Sequence, residues 1–391
     1  MVKTLEETPL EANKVLLRTD LNLPIEDGEP RKTIRFKRYL KTIQKLSEEN
    51  AKTVILAHQG RPTRKDFTSL EKHSQILSNE LNQEVKLVQS FFGQNLEEAI
   101  KSMENGDVIL LENIRFLSEE LQNVKPDIHK NDFFVKTLAE NTDIFVNDAF
   151  SAAHRTHGSI VGFTPIMDSY AGIVMENEFE SCKKIRDDLE DPVLVLGGEK
   201  PSDIIRMLNH MIEDVDKVLL GGVPGELALM IQGRKLGQKS DWIKEQGFDK
   251  GRKDLENLLE QYKDKIIVPK DVKTDSGNYL PENVPEDDMV WDIGSKTQEK
   301  YSEIIENTDS VLMKGPMGAF EDNPEGTKSI IDALADTEAF TVLGGGHTSS
   351  LVERFNREMD EFSHVSIAGG AFVRFMSGED LPAIKTLQKY S

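Results

Sequence analysis

About a dozen runs of four to six mainly Val, Ile and Leu residues recur along this chain, separated by stretches long enough for a helix. Runs that are apolar on both faces do not suit antiparallel strands with one wet side; they suit strands buried within a parallel sheet. The rhythm therefore predicts βαβ units and an α/β fold of doubly wound, Rossmann-like parallel sheets. Amphipathic spacing predicts helices over 35–47, 69–82, 131–140, 202–212, 225–233, 250–262, 297–307, 326–335 and 348–357. At 391 residues the chain exceeds one ordinary core and fits two domains. The polar stretch from about 170 to 191, stopped by Pro192, reads as a helix joining them.

The residues that end the apolar runs change character near residue 180. In the first half the runs give way to Arg18, Asp20 and Asn22; to His58, Gly60 and Arg61; to Glu112, Asn113 and Arg115; and to Asn147, Asp148, His154 and Arg155. In the second half they end in Gly197-Gly198, Gly221-Gly222, Lys314-Gly315-Pro316, Gly344-Gly345-Gly346 and Gly369-Gly370. Ligands of open parallel sheets bind beyond the carboxyl ends of the strands. One half is expected to hold a small anion and the other to cradle phosphates, facing each other across a cleft.

A formal charge of −21 argues against nucleic acid or an anionic membrane as a partner, and no Lys/Arg-rich run offsets it. The same charge opposes anionic substrates, so basic residues must be concentrated locally. The surplus acid reads as a solvated surface suited to a salty cytoplasm, where the Debye length is about 3 Å at roughly 1 M. No apolar stretch approaches membrane-spanning length and the amino terminus shows no charged-then-apolar pattern, so a cytoplasmic location is expected. The single cysteine, Cys182, lies in an ordinary helical pattern and permits no intramolecular disulfide.

Glycine pairs after strands are often tight turns. Their recurrence where a strand ends and a helix begins is what points to phosphate, because backbone N–H groups and the helix dipole favour anions there. Neither GxxxxGK[ST] nor GxGxxG occurs, which argues against a P-loop enzyme and a dinucleotide-dependent dehydrogenase. Arg35, Arg61, Arg115 and Arg155 read as bidentate donors to phosphate or carboxylate. Arg18 and Arg64 read equally well as surface ion-pair partners. His154 and His157 lack a third ligand of matching type and read as supports of Arg155, so no protein-held metal is expected.

These residues carry a resemblance to the phosphoglycerate kinase family over essentially the whole chain. LRTDLNLP at 17–24, AHQGRP at 57–62, LLENIRF at 110–116, FVNDAF at 145–150, AHRTH at 153–157, GGEK at 197–200, GPMGAFE at 315–321 and GGG at 344–346 stand in the family's order and spacing. The resemblance, strongest to archaeal members, implies reversible phosphoryl transfer between 1,3-bisphosphoglycerate with ADP and 3-phosphoglycerate with ATP, in glycolysis and gluconeogenesis. It implies that Asp20, Asn22, Arg35, His58, Arg61, Arg115 and Arg155 hold 3-phosphoglycerate. It assigns the nucleotide to Gly197, Gly198, Lys200, Gly221, Gly222, Gly318, Glu321, Gly344, Gly345, Gly346, His347 and Thr348, with Mg²⁺ travelling on the nucleotide. Arg35, Lys200, Gly345 and Gly369 are implied as the catalytic set. The implied layout is a substrate domain over 1–170, a joining helix over 171–191, a nucleotide domain over 192–377 and a tail over 378–391 returning to the first domain. A monomer is expected.

Three positions depart from the family pattern. Ile204 stands where a second lysine is expected, leaving Arg206 as a substitute; His347 stands where a carboxylate is expected near the metal; and Lys314 stands where the pattern has Asn. A two-lobed binding protein for a phosphorylated acid would share the arginines but would not need the glycine-rich half.

Overall fold

The computed structural model describes residues 2–345 and 348–390, so Gly346 and His347 lie outside the described residues. The chain forms two compact units, one of residues up to Phe179 together with those from Asp380 on, the other spanning Glu180–Glu379.

The first unit is built on six strands: β1 (Lys14–Arg18), β2 (Lys52–Leu56), β3 (Lys86–Val88), β4 (Val108–Leu111), β5 (Ile144–Asn147) and β6 (Asp168–Ala171). They pair in parallel in the order β3-β4-β2-β1-β5-β6, with Leu17 beside Ile55 and Val146. Alternate residues feed two cores, Val15, Leu17, Ile55 and Val146 on one face and Leu16, Val54, Leu56 and Phe145 on the other. That is why these runs are apolar at every position: burying each such side chain is worth roughly 1.5–3 kcal/mol, and both faces are covered. Helix α1 (Ile34–Glu48) begins at Thr33, whose hydroxyl accepts the Phe36 amide, and buries Phe36, Tyr39, Leu40, Ile43 and Leu46. The chain leaves β1 on one side and returns on the other at β5, so the sheet's switch point lies between their carboxyl ends.

The joining segment differs from expectation. Tyr170 and Ala171 belong to β6, paired with Val146 and Asn147, and helix α2 starts only at Ile173 and runs to Lys183. A π-helical turn, Lys184–Asp188, follows it. The short, half-polar β6 carries no apolar run, and only its pairing partner identifies it as a strand. The Asp148 carboxylate fixes the start of α2, accepting the amides of Val174 at 2.8 Å and Met175 at 3.1 Å.

The second unit has β7 (Val193–Leu196), β8 (Val218–Leu220), β9 (Ile266–Ile267), β10 (Val272–Thr274), β11 (Asn278–Tyr279), β12 (Val290–Ile293), β13 (Ser310–Lys314), β14 (Phe340–Gly344) and β15 (His364–Val365). Its main sheet is parallel in the order β9-β8-β7-β13-β14-β15, and β11-β10-β12 form a small antiparallel sheet absent from the sequence expectation. Helices α3 (Pro201–Met211), α4 (Gly222–Ile231), α5 (Thr348–Arg354) and α6 (Gly370–Met376) start after β7, β8, β14 and β15. The switch point here lies between β7 and β13, the order expected of a dinucleotide-type fold. The last helix, Pro382–Tyr390, packs in the first unit, where the Ala383 amide donates to the Ala153 carbonyl at 3.1 Å. Among the described residues no helix is long and apolar enough to cross a membrane.

Candidate functional site

At the switch point of the first unit, each strand end delivers a polar side chain that the next loop holds in place. Asp20 follows β1, and its carboxylate accepts the Asn22 amide at 2.9 Å and the Ser151 hydroxyl. The same carboxylate lies 3.7 Å from Arg35, the second residue of α1. Asn22 in turn accepts the Gly60 amide at 2.8 Å, tying the β1 loop to the β2 loop. Gly60 has φ +66°, and a Cβ there would meet the Asp66 carbonyl at 2.4 Å, so the exposed 61–66 loop can fold back only over a glycine.

Arg115 sits on the turn Ile114–Phe116, which Asn113 caps, and donates to the Gly60 carbonyl. Its buried Nε has no hydrogen-bond partner among the described residues. Burial, reinforced by Arg18, Arg155 and Arg61, lowers its pKa to about 10. Burial, then Arg18, Arg115, His157 and Arg155, hold His58 well below the ordinary histidine range. In both groups burial comes first and neighbouring cations add to it, with Glu120 opposing the shift of Arg115, so several cationic side chains share one partly dry edge. The structure thus gathers Arg61, Arg115, Arg155 and His58 around one sheet edge, with Asp20, Asn22 and Arg35 beside it.

Arg18 is not a surface ion-pair partner. It is 1% exposed, with Nε on Ser159 and Nη1 on the Thr19 carbonyl. Behind it lies Glu120, fully buried, 3.5 Å from His157. Glu120, Ser151 and Ser159 had no signal in the sequence, because each acquires a partner only when distant strand ends meet.

In the second unit the glycines pack loop on loop. The amides of Gly197 and Gly198 donate to the carbonyls of Lys314 (2.8 Å) and Pro316 (2.7 Å); those of Gly221 and Gly222 donate to Leu196 (2.9 Å) and Met317 (2.6 Å). These four N–H groups are committed to the protein, contrary to the expectation that they face phosphate. Their glycine character answers crowding: a Cβ on Gly222 would meet Gly198 N at 2.7 Å and one on Gly197 the Pro316 carbonyl at 2.2 Å. Gly344 lies against the Phe372 ring and Gly318 against Trp291 and Asp292. Gly345, with φ +110°, turns the chain into α5, where the Thr348 amide donates back to it at 3.0 Å and the Thr348 hydroxyl donates to Gly344 at 2.6 Å. Gly369 caps α6, and Glu321 is exposed, its carbonyl accepting from Arg354.

The positive charge at this edge comes from two lysines. Lys200 caps α3 and is exposed. Lys314 ends β13, only 8% exposed, with Asp203 at 3.8 Å. Burial lowers the Lys314 pKa, Asp203 opposes this, and Lys200 adds to it. The two ammonium groups are therefore neighbours. Ile204 is fully buried in the core, and Arg206 turns to Glu379 at 3.4 Å.

Among the described residues no group of three His, Cys, Asp or Glu could hold a metal ion. One edge gathers arginines and a histidine, and the other brings two lysines together.

The family model described as phosphoglycerate kinase matches residues 5–379. A phosphoglycerate kinase of Methanopyrus kandleri is 42% identical, covering 99% of this chain and 97% of its own length, and one of Halorubrum lacusprofundi is 40% identical over 98% and 97%. The crystal structure of phosphoglycerate kinase from Pyrococcus horikoshii OT3 superposes with a TM-score of 0.91 at 35% identity, over 99% of this chain and 98% of that one.

Proposed function

The chain belongs to the phosphoglycerate kinase family, and on that premise we propose how its two sheet edges carry out phosphoryl transfer between 1,3-bisphosphoglycerate and ADP. The enzyme is a phosphotransferase with a carboxyl group as acceptor, using a nucleotide and phosphoglycerate. The first unit is the phosphoglycerate domain: Arg61, Arg115 and Arg155 hold the acid's anionic groups, His58, Asp20 and Asn22 orient it, and Arg35 meets the transferring group. The observation that carries this is the buried cationic cluster at the sheet edge, where Arg115 Nε is unpartnered among the described residues and burial, with neighbouring cations adding to it, lowers the pKa of both Arg115 and His58.

The second unit is the nucleotide domain. Gly197, Gly198, Gly221, Gly222, Gly318 and Gly344 let the loops approach closely, while Gly345, Gly369, Glu321 and Thr348 border the nucleotide, as do Gly346 and His347 by the sequence motif. Lys200 and Lys314 neutralise the phosphates together, Lys314 supplying the charge that Ile204 does not. Such a transfer needs little covalent work from the protein: donor, acceptor and phosphoryl group must lie in line, charge must be neutralised and water excluded. Mg²⁺ enters as part of the nucleotide substrate, held by phosphate oxygens and water, which suits its preference for hard oxygen ligands. We also propose that the enzyme works in the cytoplasm as a monomer, with neither nucleic acid nor membrane as partner.

A coupled assay of ATP-dependent 3-phosphoglycerate consumption tests this reading. Turnover requiring Mg²⁺ is expected; its absence with every nucleoside triphosphate, on folded protein in both low and high salt, would refute it.

A further inference from the structure

Arg18 is the largest side chain sealed inside the described protein, and each of its nitrogens turns to an internal partner. Nε donates to Ser159 Oγ at 2.8 Å, Nη1 to the Thr19 carbonyl, and Nη2 meets His58 Nδ1 at 3.0 Å. Ser159 passes the contact inward: its hydroxyl donates to Glu120 Oε1 at 2.8 Å and its amide to Oε2 at 2.7 Å. Glu120 and Ser159 are both fully buried. Burial raises the Glu120 pKa, but His157 and Arg18 outweigh it and hold the group below the usual carboxylate value, so Glu120 is the anion that balances Arg18.

An arginine so committed acts through what it touches, and the functional residue it touches is His58. A guanidinium has donors and no acceptor. Its bond to Nδ1 therefore requires a lone pair there, and a neutral ring must then carry its proton on Nε2. Burial, followed by the nearby cations, keeps the ring neutral at pH 7.

We propose that Glu120 and Ser159 are positioning residues that act through Arg18 to lock His58 in the Nε2-protonated tautomer. The imidazole then offers a donor, not a lone pair, to bound phosphoglycerate. The identity of that ligand rests on the function proposed above; the tautomer does not.

Long-range proton–nitrogen NMR of the free enzyme reads the tautomer directly, with the His58 signals assigned by their loss in His58→Gln. Nε2 is expected to be protonated and Nδ1 bare. Ser159→Ala removes the relay without adding volume, and Glu120→Gln keeps shape while removing charge. Each should mix the tautomers and raise KM for 3-phosphoglycerate by about tenfold, leaving KM for the nucleotide within about twofold. If Glu120→Gln fails to fold, Ser159→Ala decides alone. A wild-type ring protonated on Nδ1 or on both nitrogens, or a folded variant that keeps both the pure Nε2 tautomer and the wild-type KM, overturns the proposal. The expected tautomer in an enzyme without turnover would support the relay and count against the kinase reading alone.

Discussion

Arg35 occupies the second position of α1, where Thr33 has already fixed the helix start and Asp20 lies 3.7 Å from the guanidinium. At that distance the ion pair is loose, so the side chain can exchange Asp20 for a transferring phosphoryl group. Cations of this kind contribute about 10³ to 10⁵ in turnover elsewhere. Arg35→Ala should lower kcat at least about a hundredfold while the Kd of 3-phosphoglycerate, measured by calorimetry, changes far less. Equal losses in both would make Arg35 a substrate anchor. On the nucleotide side Lys314 and Arg206 make opposite predictions. Lys314 is buried beside Lys200, whereas Arg206 is half-exposed and occupied by Glu379. Lys314→Met should raise KM for ADP about tenfold or more through loss of a charge-assisted contact, and Arg206→Ala should stay within about twofold. The reverse order would place the missing cation on α3.

At the scale of the element, each unit buries a carboxylate of raised pKa beneath a helix start, Asp148 at α2 and Asp292 at the helix Glu325–Asp336. Burial raises both to about 7, against the amides that donate to them. A carboxyl group with a raised folded pKa favours the folded state at low pH; that advantage is lost as pH climbs from its unfolded value near 4 to about 7. Asp148→Asn keeps the acceptor for Val174 and Met175 and removes the titration. Its urea midpoint should therefore fall less than that of the wild type between pH 5 and pH 8, and parallel curves would show that Asp148 does not titrate in this range. Asp148 was visible in the sequence only as one polar residue after a strand, and its capping role follows from where α2 begins. The strands Val193–Leu196 and Ile144–Asn147 were legible because burial on both faces demands an unbroken apolar run. The two-residue Ile266–Ile267, the half-polar Asp168–Ala171 and the β10–β12 sheet were not, since short or one-faced strands take their identity from a neighbour. The arginines gathered at the sheet edge of the first unit were legible by residue type. The relay behind them was not, because Arg18 and Ser159 stand 141 residues apart in the chain.

At the scale of the whole molecule, 69 acidic against 48 basic side chains give a net charge of −21, while the side chains gathered at the sheet edge of each unit include clustered cations. Asp203, Asp20 and Glu120 pair with the cations at these edges, and the remaining surplus of acid repels itself. Self-repulsion destabilises the compact state and is screened as the Debye length falls from about 10 Å at 0.1 M to about 3 Å at 1 M salt. Buried pairs such as Glu120 with Arg18 are shielded from that screening, so the salt effect should act on stability far more than on the geometry of the first unit's sheet edge. Raising KCl from 0.1 to 1 M is expected to raise the thermal midpoint by several degrees, on the order of a few kcal/mol at this size, while the His58 tautomer read by NMR stays unchanged. Potassium chloride is a weak Hofmeister salt, so an equal rise in a variant with about ten surface Asp and Glu changed to Asn and Gln would assign the effect to solvent and not to charge. A much smaller rise in that variant is the outcome that electrostatic self-repulsion requires.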